Sequence, residues 1–326
     1  MLSVYINIKP IYSTFVFSLF FFLQSCDNKE NINTSPSRNT QQQNITNTNT
    51  FNDAIVKQDN INDYSILEND ANQSLCLSNQ ISENGISLIL DLADRNPNSI
   101  YTVYNHIDSI ALVFETCNDP RGMFVTTYRR ITRRIISAIE NKEINDQAWG
   151  HSIVIDFASR YLQNLRLHLQ NEQPSYAWQQ YYYLANNVDV SRTRAVVIGM
   201  VAHLTLDLPH SLVAINTTES HKDDYFTLGE LMIEITPLFI QDLKRYYNTD
   251  TEDILNGFFL GQWVDNVFGN DTMITLSYQT IRTKSWNARW YLQKRWGRWL
   301  AQNEIYTAFW TIDGVLATLD QSNIIQ

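Results

Sequence analysis

The stretch Ser191-Arg192-Thr193-Arg194-Ala195-Val196-Val197-Ile198-Gly199-Met200-Val201-Ala202-His203-Leu204-Thr205-Leu206-Asp207-Leu208-Pro209-His210 decides how this chain folds. From Ala195 to Leu208 it is apolar on every side rather than along one stripe, and a helix of that kind belongs at the centre of a helical protein. Ser191 stands where an N-cap offers its hydroxyl to the first free amides. His203 and Asp207 lie four residues apart and so share one face. A buried carboxylate needs a cation, a metal ion or several donors. Three readings follow from the residues: the pair holds a divalent ion, the two side chains bond each other as a core pair, or Asp207 caps a helix that restarts at Pro209.

Outward from this segment the apolar spacing is helical throughout. Ile100, Val103, Tyr104, Ile107, Ala111 and Phe114 recur at three and four, with Ser99 as a cap. Asp119-Pro120 opens a helix carrying Phe124, Tyr128, Ile131 and Ile135, and another runs through Trp149, Ile153, Asp156, Phe157, Tyr161 and Leu165. After Pro174 comes an aromatic stretch with Tyr176, Trp178, Tyr181, Tyr182 and Tyr183. Further helices are predicted at 223–247, 251–267, 272–301 and 303–319, separated by Asn, Asp or Gly turns. Only 10 Gly and 7 Pro occur in 326 residues, 44% of which are hydrophobic. Collagen-like, wholly disordered and disulfide-dense classes are therefore excluded. The prediction is an all-α, multi-helix, bundle-like single domain over 80–326, built around a buried central helix.

The first 26 residues read as an address. Lys9 precedes the apolar run Ile11 to Leu23, too short to span a bilayer, which takes roughly 20 apolar residues. The run ends Leu23-Gln24-Ser25-Cys26, which resembles the bacterial lipobox. Removal of a signal peptide 1–25, acylation of Cys26 and a flexible Asn/Thr/Gln-rich tether over 26–79 are expected. This places the protein in a bacterial cell envelope, lipid-anchored on the periplasmic or outer-surface side, with the membrane as its first partner. In an exported chain the remaining cysteines, Cys76 and Cys117, are expected to form a disulfide. The formal charge of -10 argues against nucleic acid as a partner. Arg129, Arg130, Arg133 and Arg134 read as one charged helix face rather than a binding patch.

Candidate chemistry gathers around the central segment. Asp156 sits among apolar neighbours on an earlier helix, and His221-Lys222-Asp223-Asp224 lies where a later helix begins, so that N-capping by Asp223 or Asp224 competes with any site role there. His203, Asp207, Asp156 and His221 are the candidate ligands for Zn or another divalent metal, drawn from separate helices. Asp224 is the candidate catalytic proton acceptor. His106, His151 and His168 read as surface or core residues.

Gly122-Met123-Phe124 to Tyr128, Asp156-Phe157-Ala158 to Tyr161, Trp178, the run Gly199-Met200-x-Ala202-His203-x-x-x-Asp207-Leu208-Pro209, His221-x-x-Asp224-Tyr225 and Trp286-Asn287-Ala288 occur in that order. The chain thereby resembles an uncharacterised bacterial helical family, a domain of unknown function, over roughly 85–310. It is more distantly similar to zinc-dependent phospholipase C and nucleases of that helical fold, whose central helix bears H-x-x-x-D with a following Pro and His, here His203, Asp207, Pro209 and His210. The interval from Asp207 to His210 is shorter than in those enzymes, which points to one or two ions rather than three.

Two functions are expected. In one, a metal-bound hydroxide attacks a phosphoester or other ester of an unidentified small molecule or lipid while Asp224 handles the proton. In the other, the polar cluster ties helices together in a non-catalytic binding or structural envelope lipoprotein, with Tyr181, Tyr182, Tyr183, Trp286, Trp290, Trp296 and Trp299 as candidates for a binding groove.

Overall fold

The computed structural model of the protein describes residues 75–77, 80–260 and 278–325. The expected signal peptide, Cys26 and most of the tether lie outside the described residues, as do parts of the expected helices at 251–267 and 272–301.

Described elements begin with a short antiparallel ladder, β1 (Cys76–Leu77) on β2 (Gln80–Ile81). Helices α1 (Glu83–Asp94), α2 (Ile100–Thr116), α3 (Met123–Glu140), α4 (Gln147–Leu169), α5 (Tyr176–Asn186) and α6 (Arg192–Ala202) follow. A π-helical turn, His203–Asp207, joins α6 to α7 (Leu208–Ala214). Then come α8 (Lys222–Glu234), α9 (Thr236–Tyr247), α10 (Glu252–Leu260), α11 (Tyr278–Leu292) and α12 (Arg298–Gln321). The architecture is all-α.

The local rules read from the sequence hold where a cap defines them. Ser99 Oγ accepts the Thr102 amide at 3.0 Å, and Ser191 Oγ accepts the Arg194 amide at 3.1 Å. Asn118, Asn171, Asn216, Asn248 and Asn323 all take positive φ just after helices, where the short amide side chain tolerates the left-handed conformation that closes a C-terminus. Two breaks fall elsewhere than expected. The run 223–247 divides at Ile235, because Pro237 sits in the first turn of α9 and lacks the amide that would continue α8. The last two helices meet at residues 293–297, where Gly297 precedes α12, and not near 302.

α6 is the hub. Ala195, Val196, Ile198, Val201 and Ala202 are at most 1% exposed, and α6 packs against α5, α3 and α12. The whole run Arg192–Ala214 is apolar enough to span a membrane by length and composition, yet its most apolar window is 83% buried inside the protein. Its apolarity is therefore taken up by neighbouring helices. Arg194 clamps α12 onto α6, donating to Asp313 at 2.7 Å, while Gln180 Nε2 from α5 donates to the other Asp313 oxygen at 2.8 Å.

Cys76 and Cys117 are disulfide-bonded, with Cα atoms 5.4 Å apart. The bond fixes β1 to the end of α2, so the helical domain includes residues ahead of 80. The arginine-rich face of α3 is held by acids from other elements: Arg129 by Glu115 (2.8 Å), Arg130 by Asp242 (2.5 Å) and Arg134 by Glu143 (2.9 Å) and Glu234 (3.0 Å).

Candidate functional site

Pro209 explains the π turn. In a continuous α-helix residue 209 would donate to the carbonyl of Thr205, but proline has no amide hydrogen and its ring crowds that carbonyl. The backbone widens, so that Leu208 N bonds His203 O across five residues. A carbonyl in the turn finds a partner outside it: Ser285 Oγ of α11 donates to Leu204 O at 2.7 Å.

The turn brings His203 and Asp207 together. His203 Nδ1 lies 2.9 Å from Asp207 Oδ2, and Trp178 Nε1 donates to the same oxygen at 2.9 Å. An ionised carboxylate only accepts, so the imidazole carries its proton on Nδ1. Both side chains are almost fully buried. Burial pushes the His203 pKa down, with the Asp207 bond opposing it, which leaves a neutral ring. Of the three sequence readings, the core pair is the one present. Asp207 makes no side-chain cap bond to α7.

Aromatic rings enclose the imidazole. Phe157 stacks on it at 3.4 Å between centroids, Tyr128 meets it edge-on at 4.8 Å, and Phe124 and Trp178 stand at 5.2 and 5.9 Å. Nε2 of His203 has no hydrogen-bond partner among the described residues. Tyr128 and Phe157 also line a cavity of about 40 Å³ with Leu204, Leu208, Tyr225 and Arg282, room for about one water molecule.

The other candidate ligands do not join the pair. Asp156 is half-exposed rather than buried, and Arg160 one turn later bonds it at 2.8 Å. The same Arg160 Nε reaches Ser211 Oγ at 2.8 Å, pinning α4 to α7. His221 accepts the Thr218 amide on Nδ1 (3.0 Å), places Nε2 3.3 Å from Asp146, and stacks on Trp149 at 5.4 Å. Asp224 neither caps α8 nor waits with a free oxygen. It accepts Asn145 N, Asn145 Nδ2 and Asp146 N, each at 2.8 Å, and so shapes the loop that starts α4. Among the described residues no group of three or more His, Cys, Asp or Glu is arranged to hold an ion. The donor set does not fit Zn or a similar metal: His203 Nδ1 and Asp207 Oδ2 are spent on each other and on Trp178, and Asp156, His221 and Asp224 are engaged elsewhere.

Three features of this centre were not singled out by sequence reasoning. Arg160 is visible at the D-x-x-x-R spacing after Asp156. Trp178 as the second donor to Asp207, and Ser285 on the π turn, carry no local signal, since both contacts are long-range.

The proposed aromatic groove divides. Tyr181, Tyr182 and Trp286 are core, whereas Tyr183, Trp290, Trp296 and Trp299 are exposed. An open groove of about 840 Å³ runs between the end of α4 and α5, lined among others by His168, Glu172, Gln179, Tyr182, Tyr183 and Asn187. There the His168 ring stacks on Tyr182 at 3.9 Å, and burial, with Arg121 adding to it, holds its pKa down at about 4.

Residues 100–318 match the model of a family of unknown function, DUF5995. No curated protein and no solved structure matches the chain.

Proposed function

We propose that this protein, which belongs to the DUF5995 family and takes no activity from it, is an exported lipoprotein held at the cell envelope through Cys26, with a helical domain that binds rather than catalyses. One observation carries the non-catalytic part: Asp207 Oδ2 receives both His203 Nδ1 and Trp178 Nε1, so these atoms of the most reactive-looking pair in the sequence hold each other in place. Asp156 and Asp224 are occupied in the same sense, by Arg160 and by three donors of the 145–146 loop. The anchor reading is supported by Lys9, the apolar run to Leu23 and the Leu23-Gln24-Ser25-Cys26 end of that run.

A hydrolase acting on phosphoesters or other esters is the second reading; it requires Asp156 and His221, apart from the pair in this structure, to be drawn to His203 and Asp207 around an ion, with Asp224 as base. What favours it is the spare Nε2 of a histidine whose other nitrogen is oriented by a carboxylate, the arrangement from which bases and metal ligands are made.

Elemental analysis of the purified protein, with melting followed in the presence and absence of chelator, separates the two. The binding reading expects no stoichiometric metal and identical melting. A bound divalent ion whose removal lowers Tm overturns it. In parallel, a Cys26→Ser chain should lose fatty-acid labelling, and retained labelling refutes the anchor.

A further inference from the structure

The corner between α11 and α12 differs from the rest of the surface. Trp290, Tyr291 and Trp296 form an exposed cluster, with Trp290 and Tyr291 each 6.2 Å from Trp296 between ring centroids. Trp299 and Leu300 extend it, at 69% and 51% exposure. Together these make up five of the twelve exposed large apolar side chains among the described residues, all within positions 290–300 rather than scattered.

Charge singles out the same corner. The chain carries 34 acids against 24 basic residues, yet from Thr272 to Asn303 it contains Arg282, Lys284, Arg289, Lys294, Arg295 and Arg298 and no Asp or Glu. Arg282 and Arg289 are buried, the latter bound to Glu219. Lys294, Arg295 and Arg298 are exposed and form no ion pair among the described residues. Lys294 Nζ instead stands 5.2 Å over the Trp290 ring, and Arg298 Nε donates to the Leu292 carbonyl.

We infer that this corner is a docking surface for an anionic lipid bilayer, with Trp290, Trp296 and Trp299 seated at the headgroup level and Lys294, Arg295 and Arg298 against the lipid phosphates. Indole rings with an apolar body and one N–H favour the membrane–water boundary. Cations beside them gain from the negative surface potential, and the long Lys and Arg stems lie along the apolar side while their heads reach phosphate. A second copy of this chain is a poorer occupant, because a two-fold interface would bring the three cations of one protomer against those of the other. The inference rests on the envelope location proposed above and adds to it: the domain lies on the membrane instead of standing off it.

The test uses the full chain with vesicles of equimolar phosphatidylglycerol and phosphatidylcholine, and with phosphatidylcholine alone, both made with brominated acyl chains that quench inserted tryptophan. Quenching is expected on the anionic vesicles, declining with salt and reduced in Trp296→Ala/Trp299→Ala. In Lys294→Gln/Arg295→Gln/Arg298→Gln the lipid concentration for half-maximal quenching should rise roughly 100-fold, about fivefold per lost cation. Unchanged quenching in the tryptophan variant overturns the inference. So does concentration-dependent dimerisation through this face without vesicle binding, or binding of a single-stranded oligonucleotide in place of vesicles. Running Cys26→Ser alongside keeps the anchor separate: fatty-acid labelling lost in Cys26→Ser, with no quenching of these indoles in either protein, sinks the docking surface alone, whereas labelling retained in Cys26→Ser, with the indoles still inserting, sinks the anchor alone.

Discussion

The Phe157 ring lies flat on the His203 imidazole, 3.4 Å between centroids and within 9° of parallel. A charged imidazolium would need a partner for its second N–H, and Nε2 is buried with none among the described residues; burial holds the ring neutral, and its work is packing and the orientation of Asp207. The loss of either residue is then first a loss of stability.

His203→Ala should lower the unfolding free energy by about 3–5 kcal/mol, since Asp207 remains buried with only Trp178 as donor and the ring leaves a void. Asp207→Asn keeps an acceptor for Trp178 and should cost clearly less. Urea unfolding of both measures this. Equal midpoints for His203→Ala and wild type would contradict the buried pair.

The Cys76–Cys117 bond closes a sequence separation of 41 residues, for which chain entropy gives a contribution of about 3–4 kcal/mol. Reduction, or Cys117→Ala, is expected to shift the urea midpoint down accordingly. Two alkylated thiols in the unreduced protein would show that the bond is absent.

Gly122 has no room for a side chain. A Cβ there would stand 2.2 Å from the Cβ of Phe114 and 2.5 Å from the Tyr247 hydroxyl, both on packed helices. Gly122→Ala should therefore cost roughly 1–3 kcal/mol or more, whereas Gly314→Ala, with nothing within 4 Å of the new methyl, should stabilise α12 by about 0.5–1 kcal/mol. Thermal melts of the two variants should move in opposite directions.

Two half-buried groups give stability an opposed dependence on pH. Burial raises the Glu304 pKa to about 7, against the pull of Lys284, so the folded protein keeps a proton that the unfolded chain releases, and stability falls as pH rises from the carboxylate range through about 7. His168, lowered to about 4, refuses a proton that the unfolded chain takes up, so stability falls as pH drops from the ordinary imidazole range towards 4; His203 shifts in the same direction. In the wild type these slopes oppose each other. Glu304→Gln removes one arm, and its stability should climb from pH about 4 to about 7 more steeply than wild type. Parallel profiles for the two proteins would refute the assignment.

Helices and their caps were legible because they are set by neighbours in sequence. Ser99, Ser191 and the Asn residues after helices do locally what their chemistry dictates. The break at Ile235 was missed although Pro237 marks it, because the apolar spacing continues across both helices. The centre was half legible. The spacing of His203 and Asp207 shows that they meet, but not that Trp178, 29 positions earlier, completes the carboxylate. Asp156 was misread because apolar neighbours in sequence suggest burial, whereas it lies on a partly exposed face of α4 paired with Arg160. What holds Asp224 was not legible: two of its three donors are backbone amides of another loop, and amides leave no trace in side-chain identity.

The π turn at His203–Asp207 acts as a phase shift. α6 and α7 follow on from each other, yet one additional residue between them turns every later side chain by about 100° around the axis. That rotation is why α6 addresses α5 and α12 whereas α7 addresses α11 and α4. The length of this stretch is consequently fixed more tightly than its composition. Deleting a single residue within it would tend to straighten the helix and swing Leu208 and Leu212, now 5% and 0% exposed, out of register with α11, so the last third of the chain would lose its seat although no side chain of α11 or α12 had changed.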